Sequence, residues 1–133
     1  MKGTFSSLAE AQAYFRGDRF ATEAGITLDE LTDEKSVCSL TLNERHRNAN
    51  GGVMGGAIFT LADLAFAALA SQIHQPTVAQ TVSINYFSAP KGERLIAEAS
   101  LLKNGRTSTV LSVKVRDDTG RDVALFTGTG FKL

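Results

Sequence analysis

The chain has 133 residues, of which 43% are hydrophobic and 21% charged, with 14 basic side chains against 14 acidic ones. That composition suits one soluble globular domain large enough for a real core, and its zero net charge gives no electrostatic reason to expect nucleic acid or an anionic membrane as partner. The single cysteine, Cys38, excludes an internal disulfide and cannot build a zinc cluster; it reads as a small core or surface filler.

Residues Met1–Phe5 show no apolar run followed by a small-residue cleavage site, so no signal peptide is expected. The longest apolar stretch, Ala57–Ala70, is short for a membrane span and is interrupted by Asp63, so the cytoplasm is the expected location. Ser6 and Ser7 can cap a short helix carrying Leu8, Ala11, Tyr14 and Phe15 on one side, ending near Gly17. Ala24–Leu31 and Val37–Leu42 read as paired strands joined by the polar turn Thr32–Lys35. The basic-polar loop Asn43–Asn50 leads into a glycine-rich turn, Gly51–Gly56, and a long helix to about Gln72, with Pro76 closing the region.

Strand signals follow. Gln80–Ser88 alternates, with Val82, Ile84 and Tyr86 on one face and Thr81, Ser83, Asn85 and Phe87 on the other. Past a turn at Ala89–Gly92, residues Leu95–Leu102, Thr107–Val115 and Asp122–Phe131 read as three more strands. They are separated by the hairpin turns Asn104-Gly105 and Asp117–Gly120. The expected class is α+β: one domain, an antiparallel meander curved around a long central helix of about residues 55–72.

That helix carries apolar side chains around its whole circumference, which predicts that it is buried. Its one carboxylate, Asp63, is then costly, because the charged form loses its water. Asp63 either bonds a nearby hydroxyl or amide and fixes packing, or it does chemistry. Gly55 and Gly56 stand where the helix begins, where backbone N–H groups lack internal partners and the helix dipole is positive. They could leave those amides open to a polarised carbonyl, or could simply serve a tight turn. Neither glycine-rich phosphate motif occurs. Asn48 could cap, make an Asx turn or hold a substrate.

The pattern N-x-x-G-x-x-x-G-G-x-x-x-x-L-x-D-x-A, present as Asn48, Gly51, Gly55, Gly56, Leu61, Asp63 and Ala65, resembles the signature of hotdog-fold acyl-CoA thioesterases, most closely the phenylacetate-pathway (PaaI-type) branch. Asn85-Tyr86-Phe87 with Pro90, Gly105-Arg106, and Gly120 followed by Val123-Ala124 and Gly128-Thr129-Gly130 extend the resemblance over roughly residues 20–133. It implies hydrolysis of an acyl-CoA thioester, with coenzyme A entering as part of the substrate and no metal or redox cofactor. The Gly55 N–H would polarise the thioester carbonyl, and Asp63 would act as general base on water or as nucleophile. Thr81 would orient the water or the carboxylate, and Asn48 would hold water or substrate. The family draws these groups from two subunits, so a homodimer, paired into a homotetramer, is expected.

The implied chemistry is consistent with the residues. Burial raises an Asp into the range of a useful base, and a thiolate leaves without a strong general acid. Phe59, Phe66, Met54 and Gly56 would line the acyl slot, and Arg106, with Lys91 and Lys103, are candidates for the coenzyme A phosphates. One departure stands out: Met54 occupies the place where the family usually has His. Loss of one assisting hydrogen bond would cost on the order of 1 kcal/mol, or about fivefold in rate. The alternative is a non-catalytic acyl-CoA-binding or vestigial hotdog oligomer. His46 and His74 lie outside any such motif and read as solvated surface residues.

Overall fold

The structure, a computed structural model, describes residues 1–133. Ser7 caps helix α1 (Leu8–Phe15), its side chain accepting from the Glu10 N–H at 3.1 Å. A second short helix, α2 (Arg19–Glu23), follows and was not anticipated; it has no side-chain cap to announce it. Gly25, at φ 103°, then turns the chain into β1 (Thr27–Leu31), three residues later than the strand start read from the sequence. Strand β2 (Lys35–Thr41) and a 3-10 turn (Glu44–His46) lead to α3 (Gly55–Ile73), and β3 (Thr77–Tyr86), β4 (Arg94–Asn104), β5 (Ser108–Asp117) and β6 (Asp122–Lys132) complete the chain.

The six strands form one antiparallel sheet in the order β1-β2-β4-β5-β6-β3. The expected uninterrupted meander is therefore wrong at one point. Strand β3 pairs with β6 along its whole length, and β4 joins β2 instead. The seven residues between β3 and β4 make no tight hairpin: the Phe87 and Ser88 N–H groups both go to the Val123 carbonyl, which ties the exit of β3 to β6. The consequence for function is that β3 lies at an open edge of the sheet.

Helix α3 packs its buried face of Leu61, Ala62, Ala65, Ala68 and Leu69 against Leu95, Ala97, Leu111, Val113 and Phe126 of the sheet. Alanines on both sides bring helix and sheet close enough for the Ser36 hydroxyl to donate to the Ala65 carbonyl at 2.6 Å. At 19 residues the helix exceeds the apolar stretch read from the sequence and is long and apolar enough to cross a membrane by length and composition. Here that apolarity serves the core. The expectation of all-round burial also needs correction, because Gly56, Phe59, Thr60, Asp63, Ala67 and Ser71 form a stripe only partly covered within the single chain. Cys38 is fully buried in β2, and burial pushes its thiol pKa up, so it is core filler and not a reactive thiol.

Candidate active site

The glycine-rich loop is held from below by His46. Its Nδ1 accepts from the Asn43 N–H at 3.0 Å, which places the ring proton on Nε2, 2.6 Å from the Ala24 carbonyl it donates to. Its own carbonyl accepts from the Met54 N–H at 2.8 Å. His46 is 3% exposed, so the expectation of a solvated side chain is overturned; it ties the loop to the C-terminal end of α2. His74 is half-buried, its Nε2 3.3 Å from the Leu133 carbonyl. Replacing the buried His46 with Ala removes the partners of two partly covered backbone groups and should cost about 2 kcal/mol in a denaturant titration. His74→Ala should cost far less.

Above His46, the Asn48 Oδ1 accepts from the Asn50 and Gly52 N–H groups at 2.9 and 3.1 Å, an Asx-type turn. Its amide nitrogen has no partner in the chain, and the loop is exposed. Gly51 takes φ 85° here, which accounts for that glycine.

Gly55 and Gly56 are different. Neither has a positive φ, so turn geometry does not require them. The N-cap position is Met54, whose side chain makes no capping bond. The Ala57 and Ile58 N–H groups both bond the Met54 carbonyl, whereas those of Gly55 and Gly56 find no acceptor within the chain. A Cβ on Gly55 would stand 3.3 Å from Cζ and Oη of Tyr86; one on Gly56 would meet only the Met54 side chain, at 3.7 Å. Nothing inside the chain demands glycine at 56. Its effect is to leave two donor amides uncovered at the positive end of a 19-residue helix.

Two turns further along, Asp63 lies on the open stripe. It borders a cleft of about 270 Å³ shared with Asp18, Phe20 and Phe59, and a smaller one of about 180 Å³ shared with Phe66, Thr77 and Ala79. Burial holds the Asp63 carboxyl above the usual carboxylate range, and the negative charge of Asp18 pushes in the same direction. No hydroxyl or amide of the chain lowers it, so the packing role open to it in the sequence is not the one it plays within this chain. Burial raises Asp18 as well. Asp18→Asn removes a like charge and should move the acidic limb of any Asp63-dependent rate to lower pH, which a pH-rate profile would show.

Met54, Gly56 and Phe59 come together around an apolar cavity of about 690 Å³, with Phe20, Leu40 and Tyr86. Its size and lining suit a bulky apolar group such as an acyl chain or aryl ring. Phe66 is buried beside Phe126, with ring centroids 5.8 Å apart, and borders the Asp63 side rather than this cavity. Thr81 is exposed on β3, just past a bulge and opposite Thr129, and lines neither Asp63 cleft. Arg106 is exposed in the β4–β5 turn beside Lys132, at the end of the fold where α3 finishes and away from Gly55. Asp18 and Phe20 were not singled out from the sequence, and Tyr86 was named only within its strand and the Asn85-Tyr86-Phe87 motif: each becomes a neighbour of the helix only through long-range packing.

Residues 50–124 match the model of the thioesterase superfamily. Human acyl-coenzyme A thioesterase 13 is 34% identical over 103 residues, 74% of this chain and 74% of that protein. The acyl-coenzyme A thioesterase PaaI of Escherichia coli is 26% identical over 124 residues, 92% of this chain and 89% of that protein. The solved structure of E. coli PaaI superimposes with a TM-score of 0.87 at 25% identity, covering 92% of this chain and 90% of that one. A hypothetical thioesterase of Streptococcus pneumoniae, solved with coenzyme A, gives a TM-score of 0.80 at 26% identity over 88% of this chain and 94% of that one. A six-stranded antiparallel sheet wrapped on one helix, open amides at that helix's start and a matching sequence signature agree: the chain belongs to the thioesterase superfamily, within its PaaI-type branch of hotdog-fold thioester hydrolases.

Proposed function

We propose that this protein hydrolyses an acyl-CoA thioester to the free acid and coenzyme A, at a site assembled from two copies of the chain. One observation carries the reading. The chain holds a carboxylate with raised pKa and no partner, and donor amides with no acceptor, on the same helix but eight residues apart. At 1.5 Å per residue that separation is about 12 Å along the axis, too far for both to act on one carbonyl. A thioester carbonyl needs donor and water each within about 3 Å. A second copy resolves this if its Asp63 faces the Gly55 of the first, and the unpaired edge of β3 offers a place for that copy to join.

In this scheme the Gly55 N–H polarises the carbonyl of a thioester whose acyl group occupies the cavity at Met54, Gly56 and Phe59. Asp63 of the other copy takes a proton from water as the oxygen attacks; in the nucleophile variant its carboxylate attacks instead and water releases the acid. The tetrahedral oxyanion collapses, the C–S bond breaks, and coenzyme A leaves as the thiolate and takes up a proton. Thr81 and the free Asn48 amide would steady the water, and Arg106 of the second copy would meet the phosphates. Met54 replaces the usual His with an apolar wall, which favours a large apolar acyl group over a polar one. Thiol release from phenylacetyl-, hydroxybenzoyl-, short-chain and medium-chain CoA, with wild type beside Asp63→Asn, tests the reading. Turnover that collapses in the variant supports it; no release from a folded oligomer that still binds acyl-CoA would replace it with a binding role.

A further inference from the structure

We propose that Tyr86 is a positioning residue for the donor amides: its hydroxyl tethers the first helical peptide of α3, and its ring occupies the space that a side chain at 55 would need. The proposal rests on the reading of the start of α3 as the donor site for the thioester carbonyl, and it concerns the Gly56 N–H, which lies open beside that of Gly55. It begins from a deficiency. Most helices meet their first free N–H groups with a Ser, Thr, Asp or Asn cap, but a donor site cannot be capped without being blocked. Met54 at the N-cap position makes no capping bond, so the first turn has no local side chain to hold it still.

Tyr86 supplies the hold from the other side of the peptide. It is the last residue of β3, and Phe87 beyond it is anchored by a 2.8 Å bond to the Val123 carbonyl, so the tyrosine stands on a strand end fixed to β6. Its Oη donates to the Gly55 carbonyl at 3.1 Å. That carbonyl belongs to the same peptide group as the Gly56 N–H. A bond on the C=O side resists rotation of the peptide plane and polarises the N–H, making it a better donor without covering it. The ring also stands where any Cβ at position 55 would come within 3.3 Å, so a side chain there would push the tyrosine aside. Tyr86 lines the apolar cavity together with Met54 and Gly56, half-exposed, and its single hydroxyl is directed at the backbone oxygen that sets the orientation of the Gly56 N–H. A phenylalanine would fill the same volume without the tether.

The test compares wild type, Tyr86→Phe and Asp63→Asn in one thiol-release assay, together with backbone-amide NMR of Gly55 and Gly56 in the ligand-free protein. Tyr86→Phe should lower kcat about three- to tenfold, the effect of one lost hydrogen bond, with KM within about twofold of wild type. Its acidic limb and melting temperature should not move, and its Gly56 amide proton should exchange faster. Gly55→Ala, which displaces the ring, should lose less in the Tyr86→Phe background than in wild type. A wild-type kcat in Tyr86→Phe with an unchanged Gly56 amide overturns the proposal; so does a kcat loss that tracks a falling melting temperature, which would mark a merely structural side chain. If turnover proves independent of Asp63, the thioesterase mechanism fails separately. The Gly56 exchange rate then decides the tether alone, faster exchange supporting it and unchanged exchange refuting it.

Discussion

Asp63→Asn is expected to lower kcat for thioester hydrolysis by about 10³-fold, within the range for loss of a general base, while the protein folds at least as stably as before. The two halves of this result come from one cause. Asp63 sits half-buried without a hydrogen-bond partner, so its ionised form is disfavoured by lost hydration and by Asp18. Its folded pKa is raised above the unfolded value, so below the unfolded pKa, about 3.9, the group is protonated in both states and costs nothing. As pH rises through the folded pKa, ionisation weighs against the native state. The stabilisation by Asn should therefore be absent in acid and complete above the folded pKa, as melting temperatures measured across pH would show. The rate runs the other way. The base works only when ionised, so kcat should fall as pH drops through a pKa above the ordinary carboxylate value. A variant that lost activity and stability together at neutral pH would instead give Asp63 a packing role.

Gly56→Val should reduce kcat/KM by about 10²-fold or more with little change in stability, because a Cβ there meets only Met54 inside the chain while the branched side chain would stand beside the open amides. Its larger use is in combination. A site shared between copies takes its amides from one chain and Asp63 from the other. Refolding Asp63→Asn together with Gly56→Val, each inactive alone, should then restore about a quarter of wild-type activity: half of the random dimers are mixed, and each mixed dimer holds one intact site. A site contained in one chain would show no recovery, since every chain in the mixture carries a defect. Thiol release from the mixture, against each variant refolded alone, separates the two arrangements.

Much of this was legible in the residues because the signals were local. The apolar run after Gly55-Gly56 announced the central helix, alternation announced most of the strands, and Asn-Gly and Asp-x-x-Gly marked two real hairpins. The signature joining Asn48, Gly55 and Asp63 lies within a 16-residue stretch, short enough to be read as one pattern. The failures share a different character. Strand β3 pairs with the last strand rather than the next, which no alternation pattern encodes, because pairing partners are chosen by packing far along the chain. His46 looked like one more polar residue in a polar loop; its bond to Asn43 is a local capping box, but only the fold brings the Ala24 carbonyl to its other ring nitrogen. Helix α2 was too short and too weakly capped to be announced, yet it carries Phe20 to the cavity and places Asp18 beside Asp63.

The class of fold, the helix that organises it and the two candidates at issue, the amides beside Gly55 and the carboxylate of Asp63, could all be read from neighbouring residues. These are properties of neighbours in the chain, and helix geometry converts them directly into positions. That the carboxylate has no partner, that the amides have no acceptor, and that Tyr86 reaches across from a distant strand to the Gly55 carbonyl emerged from the packed fold alone. Hydrogen bonding and desolvation depend on which atoms lie within a few ångströms in space, and that is settled by the packing of the whole sheet around the helix.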